Sequence, residues 1–310
     1  MTLLGAAETA SLLPYNRLAD EIAQVLLDAA VKVPDRLVQA LPGGGSLFVM
    51  PALDGRIAIT KLITFTPGNA GTSLATIQGD VVVFDIATGQ RRLVLDGPTV
   101  TARRTAAVSL LAARSLAPNT HGPLLIVGAG AQGKSHLEAF AAGLSVTEVV
   151  IVSRSRQSAY RLAEHAKALG LRASVADDAN AALMDCPLIV TCTPAHGVVL
   201  SALPRADAFV AAVGAFTPQM LELGADLCRH FDQQGRIVVD TTHAASEAGD
   251  LLRAGLDVAA YTSLGQILAE RLPSGNPSPS PSPPRPVLFK SCGWAGWDLA
   301  AARLAFDAHD

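Results

Sequence analysis

Apolar and polar residues alternate along four early stretches, Ser46 to Leu53, Arg56 to Phe65, Thr76 to Ile86 and Arg91 to Leu95. This is the period of strands with one buried face. The turn Ala87-Thr-Gly-Gln90 joins the last two, so the pattern predicts an antiparallel meander. The period then becomes helical from about Thr99 to Leu116, opened by Pro98 with Thr99 or Thr101 and closed near Pro118. From Pro123 short apolar runs recur between helix-compatible segments: Leu124–Val127, Val149–Val152, Leu188–Thr191, Phe209–Val213 and Ile237–Asp240. Such a succession predicts a parallel sheet covered by helices. The expected fold class is α/β: a Rossmann-type, doubly wound parallel sheet, plus a second α+β domain whose sheet is mainly antiparallel.

One segment fits neither period. Ser274-Gly-Asn-Pro-Ser-Pro-Ser-Pro-Ser-Pro-Pro-Arg-Pro286 favours extended polyproline backbone and reads as a loop. Beyond it lie an apolar strand, Val287–Phe289, and a helix from about Trp297 to Phe306, too short to fold alone. This tail is expected to return to the first domain, giving a discontinuous domain of residues 1–118 and 286–310 around a second of 119–285.

The chain has 310 residues, enough for two cores without disulfide or metal support. Half are apolar and 16% charged, and the net charge of −3 provides no cationic field for a polyphosphate backbone. Nucleic acid is therefore not an expected partner. Polar residues, Gly or Pro interrupt every apolar run before the roughly 20 residues that span a bilayer, and no secretory leader pattern opens the chain. A cytoplasmic protein with no membrane partner is expected. The cysteines Cys186, Cys192, Cys228 and Cys292 form no CxxC pair and read as reduced thiols. Cys228 and His230 are too close for paired metal ligands, and His243 with Glu247 lacks a second cluster, so no metal site is expected.

The run Pro123-Leu-Leu-Ile-Val-Gly128-Ala129-Gly130-Ala-Gln132-Gly133 places a glycine-rich turn between a strand and a helix. Gly128 permits the tight turn, Gly130 lets the backbone approach a pyrophosphate, and Gly133 allows close packing of helix on sheet. The helix N-terminus then presents free N–H groups to the anion. A nicotinamide dinucleotide is the implied cofactor; a strand-to-helix turn without a ligand is the bland alternative. The second strand of this unit ends Ile151-Val-Ser153-Arg154-Ser155-Arg156, without the acid that usually reads an adenosine ribose. Arg154 and Arg156, with the Ser153 and Ser155 hydroxyls, suit a 2′-phosphate. NADP(H) is favoured and NAD(H) possible, the plain alternative being a solvated basic turn.

Two cations in the first domain stand in unusual company. Lys61 interrupts the apolar strand Ile57-Ala-Ile-Thr-Lys-Leu-Ile-Thr-Phe65, and a buried lysine requires a partner anion. Arg104 lies in the first turns of the helix opened by Pro98, where the dipole disfavours a cation unless another charge, such as a bound carboxylate, compensates. The bland alternative for each is an exposed or snorkelling side chain.

Lys61, Asp96-Gly-Pro-Thr-Val-Thr-Ala-Arg-Arg-Thr-Ala-Ala107, the Gly128–Gly133 turn, Ala212-Val-Gly214, Glu247-Ala-Gly-Asp-Leu251 and Phe289-Lys-Ser-Cys-Gly293 occur in an order and spacing that resemble the ornithine cyclodeaminase/mu-crystallin family over nearly the whole chain. The resemblance implies a homodimer, a first domain that binds substrate and dimerises, and active sites between the two domains. It also implies that Arg36, Lys61 and Arg104 clamp a substrate carboxylate, with Lys61 and Arg104 catalytic, while Thr76, Thr193, Val213 and Ser291 lie near the nicotinamide. Two positions depart from the ornithine-converting members. Phe48 stands two residues before Met50-Pro51 where they have Glu, and Phe216 stands where they have Asp. Phe48 cannot hold an ammonium by ion pairing. The partner implied is therefore a small carboxylate-bearing imine or amino acid, most simply a cyclic ketimine such as Δ1-pyrroline-2-carboxylate, reduced to the amino acid. Ornithine cyclodeaminase and a non-catalytic, crystallin-like NADPH-binding protein remain the alternatives.

Overall fold

Strands β1 (Thr2–Leu4), β2 (Leu37–Leu41), β3 (Gly45–Leu53), β4 (Ile57–Phe65), β5 (Ile77–Asp85) and β6 (Arg91–Asp96) form one sheet in the order β1-β6-β5-β4-β3-β2. All neighbours are antiparallel except β1, which runs parallel to β6. The computed structural model describes residues 2–69, 72–194, 196–271 and 283–309, so most of the Pro/Ser segment 274–286 lies outside the described residues. The chain divides into two units, Met1–Val108 with Trp294–Asp310, and Ser109–Gly293.

In the first unit the register sets Met50, Lys61, Val81 and Leu95 side by side on one buried face. Helices α1 (Ala6–Leu12) and α2 (Tyr15–Leu27) precede most of the sheet, and α3 (Gly97–Leu116) contributes its residues up to Val108. The C-terminal helix Ala295–Asp307 contacts α2 and strands β3 to β6. Its small residues Ala295, Gly296, Ala300, Ala301, Ala302 and Ala305 are all buried, which lets the helix lie close to its neighbours. Arg303 fixes it through three carboxylates: Asp54 at 2.6 Å, Asp28 at 2.5 Å and Glu21 at 3.3 Å.

The second unit holds β7 (Leu124–Val127), β8 (Glu148–Val152), β9 (Arg172–Val175), β10 (Leu188–Thr191), β11 (His196–Leu200), β12 (Phe209–Ala212), β13 (Leu221–Leu223), β14 (Arg236–Val239) and β15 (Val287–Lys290). Seven of these form an all-parallel sheet, β14-β15-β12-β10-β7-β8-β9, while β11 and β13 pair separately. Helices α4 (Ala131–Gly143) and α5 (Arg156–Ala168) follow β7 and β8. Strand order reverses between β7 and β10, the switch point at which open α/β sheets bind ligands beyond their carboxyl ends. The four residues of β7, β10, β12 and β15 are all buried, as helices on both faces require.

The tail beginning at 286, expected to return whole to the first domain, is divided. Val287–Lys290 inserts between β12 and β14 in the parallel sheet, and only the helix beyond it belongs to the antiparallel unit. An apolar strand is accepted by whichever sheet offers an open partner edge, and here two parallel neighbours pair with it at every residue.

Candidate active site

Three charged side chains meet in the interior of the first unit. Lys61 projects from the core face of β4, Arg104 comes from α3, and Asp298 from the C-terminal helix. Asp96 accepts the Thr99 N–H at 2.8 Å, which caps the start of α3 and thereby sets the direction of the helix carrying Arg104. Lys61 Nζ lies 2.8 Å from Asp298 Oδ2 and Arg104 Nε lies 3.3 Å from Asp298 Oδ1, with side-chain exposures of 1%, 8% and 0% for Lys61, Arg104 and Asp298. Neither cation is exposed or snorkelling.

Two cations against one anion leave the cluster positively charged. Burial pulls Lys61 down to about 8, with Asp298 opposing the fall and the Arg104 and Arg36 charges adding to it. Both Asp298 oxygens, Arg104 Nε and the Thr101 hydroxyl are buried without an aligned hydrogen bond. The cluster is therefore held by charge at ion-pair distance and keeps hydrogen-bonding capacity for a further polar group. Asp298 is the anion that a buried Lys61 demands, and both belong to one unit.

Arg36 precedes β2, its guanidinium 5.9 Å from the centroid of the Phe48 ring, and β2 and β3 pair Val38 with Phe48. Phe48 thus faces a cation where a carboxylate would form an ion pair. Thr76 is half-buried in the bend before β5, and its carbonyl accepts the Thr66 N–H at 2.8 Å.

In the second unit the glycine-rich turn follows β7 at the switch point. Gly128 has φ +119°, the left-handed side of backbone space, and its N–H donates to Val152 O at 2.8 Å. A Cβ on Gly133 would sit 2.0 Å from Gly128 O, so only glycine allows this approach. Gly130 is the N-cap of α4 with no side-chain cap, and nothing lies within 4 Å of where its Cβ would be. Ala129 completes the turn, and the buried Gln132 Oε1 has no hydrogen-bond partner. An open backbone cradle and an uncapped helix N-terminus fit a dinucleotide pyrophosphate.

His136 braces this helix from beneath, with Nδ1 2.8 Å from Gln132 O and Nε2 2.9 Å from Ser109 Oγ. Burial lowers it to about 4, so it stays neutral; Nδ1–H donates to the carbonyl and Nε2 accepts from the serine.

Past β8, Ser153 is half-buried and Arg154 exposed. Ser155 is the N-cap of α5, accepting from Ser158 N, and Arg156 pairs with Asp177 at 3.3 Å. Two of the four residues suggested for a 2′-phosphate thus already have a local partner.

At the carboxyl ends of β10, β12 and β15 stand Thr193, Val213 and Ser291. Two carboxylates missed by the sequence reading hold the loops that carry them. Glu222 Oε1 accepts Thr193 N at 2.6 Å and Thr193 Oγ1 at 2.8 Å, while Oε2 accepts Gly214 N at 2.7 Å and Thr191 Oγ1 at 3.1 Å. Asp240 Oδ2 accepts Ser291 Oγ, Cys292 N and Gly293 N, each at 2.8 Å, and Oδ1 accepts Thr241 N at 2.7 Å. Glu222 interrupts the run Met220-Leu-Glu-Leu223, a signal of the same kind as Lys61.

Cys192 Sγ lies against Gly128 O at 3.3 Å, and burial pushes its thiol well above the ordinary cysteine value, which leaves no thiolate for nucleophilic attack. Among the described residues no group of three or more His, Cys, Asp or Glu is placed to hold a metal ion, and no helix is long and apolar enough to cross a membrane.

Residues 7–310 match the model of the ornithine cyclodeaminase/mu-crystallin family. The chain is 38% identical over 308 residues to Δ1-pyrroline-2-carboxylate reductase 1 of Burkholderia multivorans, covering 98% of this chain and 94% of that one. It is 37% identical over 308 residues to the Δ1-pyrroline-2-carboxylate/Δ1-piperideine-2-carboxylate reductase of Azospirillum brasilense, again covering 98% and 94%. Among solved structures, Thermococcus litoralis Δ1-pyrroline-2-carboxylate reductase, in complex with NADH and L-proline, superposes with a TM-score of 0.89 at 23% identity, over 99% of this chain and 97% of that one.

Proposed function

The chain belongs to the ornithine cyclodeaminase/mu-crystallin family, and from that premise we propose that it is a nicotinamide-dependent reductase of a small cyclic imino acid, Δ1-pyrroline-2-carboxylate in the first instance. The observation that carries this reading is the buried, net-positive group of Lys61, Arg104 and Asp298, in a chain that also holds a dinucleotide turn. An uncompensated buried charge is costly, and a substrate carboxylate offsets it. The names of the relatives at 37–38% identity support the same substrate class.

In this reading Arg104 and Arg36 orient the carboxylate and Lys61 adds charge. When bound, the reduced nicotinamide supplies the hydride that forms the new C–H bond at the imine carbon, the C=N π pair moving to nitrogen. Lys61, drawn down to about 8, is acidic enough near neutral pH to donate the proton that nitrogen takes. Orientation of reacting groups supplies up to about 7–11 kcal/mol of a barrier. Phe48, facing Arg36, favours an apolar ring over a substrate with a second ammonium.

Thr76, Thr193, Val213 and Ser291 are assigned to the nicotinamide half of the cofactor, and the Gly128–Gly133 turn to its pyrophosphate. NADPH is the preferred form, supported by the absence of an acid at the end of β8 and by the exposed Arg154 beside Ser153. We assign substrate binding and dimerisation to the antiparallel unit. Leu37, Val49 and Leu62 lie in register across β2, β3 and β4 on the face opposite Lys61, and Leu37 and Leu62 are 55% and 47% exposed. A second copy covering this row would make the protein a homodimer. Four buried, unbridged cysteines accord with a cytoplasmic setting.

The deciding experiment mixes the purified protein with Δ1-pyrroline-2-carboxylate and NADPH or NADH and follows nicotinamide absorbance, with ornithine plus NAD and ammonia detection in parallel. Consumption of reduced cofactor with formation of proline is expected. Ammonia from ornithine would make it a cyclodeaminase instead, and tight cofactor binding without turnover on either substrate a binding protein.

A further inference from the structure

Glu222 and Asp240 form a matched pair. Each is buried, at 0% and 1% exposure, and each accepts four hydrogen bonds from residues at or just beyond the carboxyl ends of the parallel strands. The donors to Glu222 are two backbone N–H groups and two threonine hydroxyls; those to Asp240 are three N–H groups and one serine hydroxyl. A backbone N–H cannot turn round to accept, so each oxygen of each group is met by at least one fixed donor, which favours the carboxylate anion. Burial raises the Glu222 carboxyl above its ordinary value, and the Lys290 charge and the Thr193 donors oppose that rise. Gly214 shows how tightly the Glu222 arrangement is built: a Cβ there would lie 2.4 Å from Thr193 N and 2.5 Å from Glu222 Oε1.

A third buried carboxylate, Asp250, accepts the Glu222 and Leu223 N–H groups at 2.5 and 2.8 Å and is paired with Lys290 Nζ at 2.6 Å. Lys290 also donates to Ala215 O at 2.6 Å. The ammonium of Lys290 pairs with Asp250, whereas the donors to Glu222 and Asp240 are uncharged N–H and hydroxyl groups, so with all four groups ionised the balance of this set is negative. Thr193, bonded to Glu222, and Ser291, bonded to Asp240, are the residues assigned above to the nicotinamide, and the inference rests on that assignment.

We propose that Glu222 and Asp240 act as buried anions behind the nicotinamide site, favouring the cationic ring of the oxidised cofactor over the neutral ring of the reduced form. Charge that appears on the cofactor as hydride leaves is then stabilised by groups whose orientation is already fixed, with no reorganisation at that moment. Their role is electrostatic and positioning; neither is assigned a contact with substrate.

The test is a pair of dissociation constants, oxidised and reduced cofactor, measured by calorimetry or fluorescence on wild type, Glu222→Gln and Asp240→Asn. Removing one anion should raise the ratio Kd(oxidised)/Kd(reduced), on the order of tenfold for a charge acting across a partly desolvated site. A purely structural role would weaken both forms by the same factor and leave the ratio unmoved, which overturns the proposal. Glu222→Gln and Asp240→Asn each set an amide NH2 against a fixed N–H in either flip, so the folding of neither is assured. The wild-type protein therefore provides a second measurement, against a dinucleotide in which an uncharged benzamide ring replaces the pyridinium. It should bind that isostere on the order of tenfold more weakly than the oxidised cofactor; equal affinity overturns the proposal. Absence of saturable binding by any of the three would defeat the cofactor assignment itself.

Discussion

Lys61 Nζ lies 2.8 Å from Asp298 Oδ2, both side chains fully enclosed, although 237 positions separate them in sequence. The pair makes Lys61 a sensor of alkaline pH. Burial draws it down to about 8, while the Asp298 charge holds it up against that fall. If the protonated form clamps the carboxylate, kcat/KM for the imine is level below about pH 8 and declines above it as the cation is lost. Asp298→Asn removes the supporting charge, so the break should move to lower pH. Profiles of kcat/KM for the two proteins check this, and a break that stays in place would detach Lys61 from the alkaline limb.

Arg104 carries the second prediction. It has α3 geometry behind it and lies within 3.3 Å of Asp298, so Arg104→Ala should leave a buried carboxylate with only one cation. A drop in kcat/KM of about 100-fold or more is expected, with Arg104→Lys recovering part of it, because the charge returns without the planar fork. Unchanged kcat/KM for the alanine variant would place the carboxylate elsewhere.

How much of this site the chain discloses depends on how local each signal is. Lys61 stands out because it breaks an apolar alternation, and the three glycines because a tight turn, an open cradle and a close helix contact each need that residue. Asp298 and Asp240 send no such signal. A lone acid in a helix or at a strand end has the signature of a cap, and its meaning comes from Lys61 or Ser291, far away in sequence. Glu222 did break an apolar run, yet its four donors come from the end of β10 and from the loops after β10 and β12. The same limit misplaced β15: periodicity identifies a buried strand but not which sheet has a gap for it. In α2, the buried Leu18, Ile22 and Val25 keep helical spacing, a signal as readable as the strands.

The glycine turn separates steric need from ligand need. Gly133→Ala would push a methyl to within 2.0 Å of Gly128 O, so it should lose stability and cofactor affinity together. Gly130→Ala meets nothing within 4 Å in the protein, so its melting temperature should stay close to wild type while the Kd for cofactor rises about tenfold or more. Thermal melts and cofactor titrations of both variants check this. Wild-type affinity in Gly130→Ala would show that no ligand backbone approaches there.

Arg154 and Arg156 make different predictions despite being two residues apart. Arg156 already pairs with Asp177, whereas Arg154 is exposed beside Ser153. Arg154→Ala should raise KM for NADPH about tenfold and barely alter KM for NADH, with a smaller change for Arg156→Ala. Steady-state kinetics with both cofactors decide it, and an equal rise for NADH would mean the arginine does not read a 2′-phosphate.

His136 predicts acid sensitivity of the fold itself. In the unfolded chain it titrates near its ordinary 6.5, while in the folded protein burial lowers it to about 4. Between these values the unfolded state binds a proton that the folded state cannot, so stability falls as pH drops from 6.5 towards 4 and levels off below that. The full loss from this one group is about 3 kcal/mol. His136→Gln can keep a donor for Gln132 O and an acceptor for Ser109 but cannot titrate, so its urea-unfolding free energy should lack that slope. Subtracting the two pH series isolates the histidine, since the other ionisable groups are common to both proteins. Parallel curves would mean that His136 takes up its proton in the folded state, and that the helix behind the glycine turn tolerates a charge.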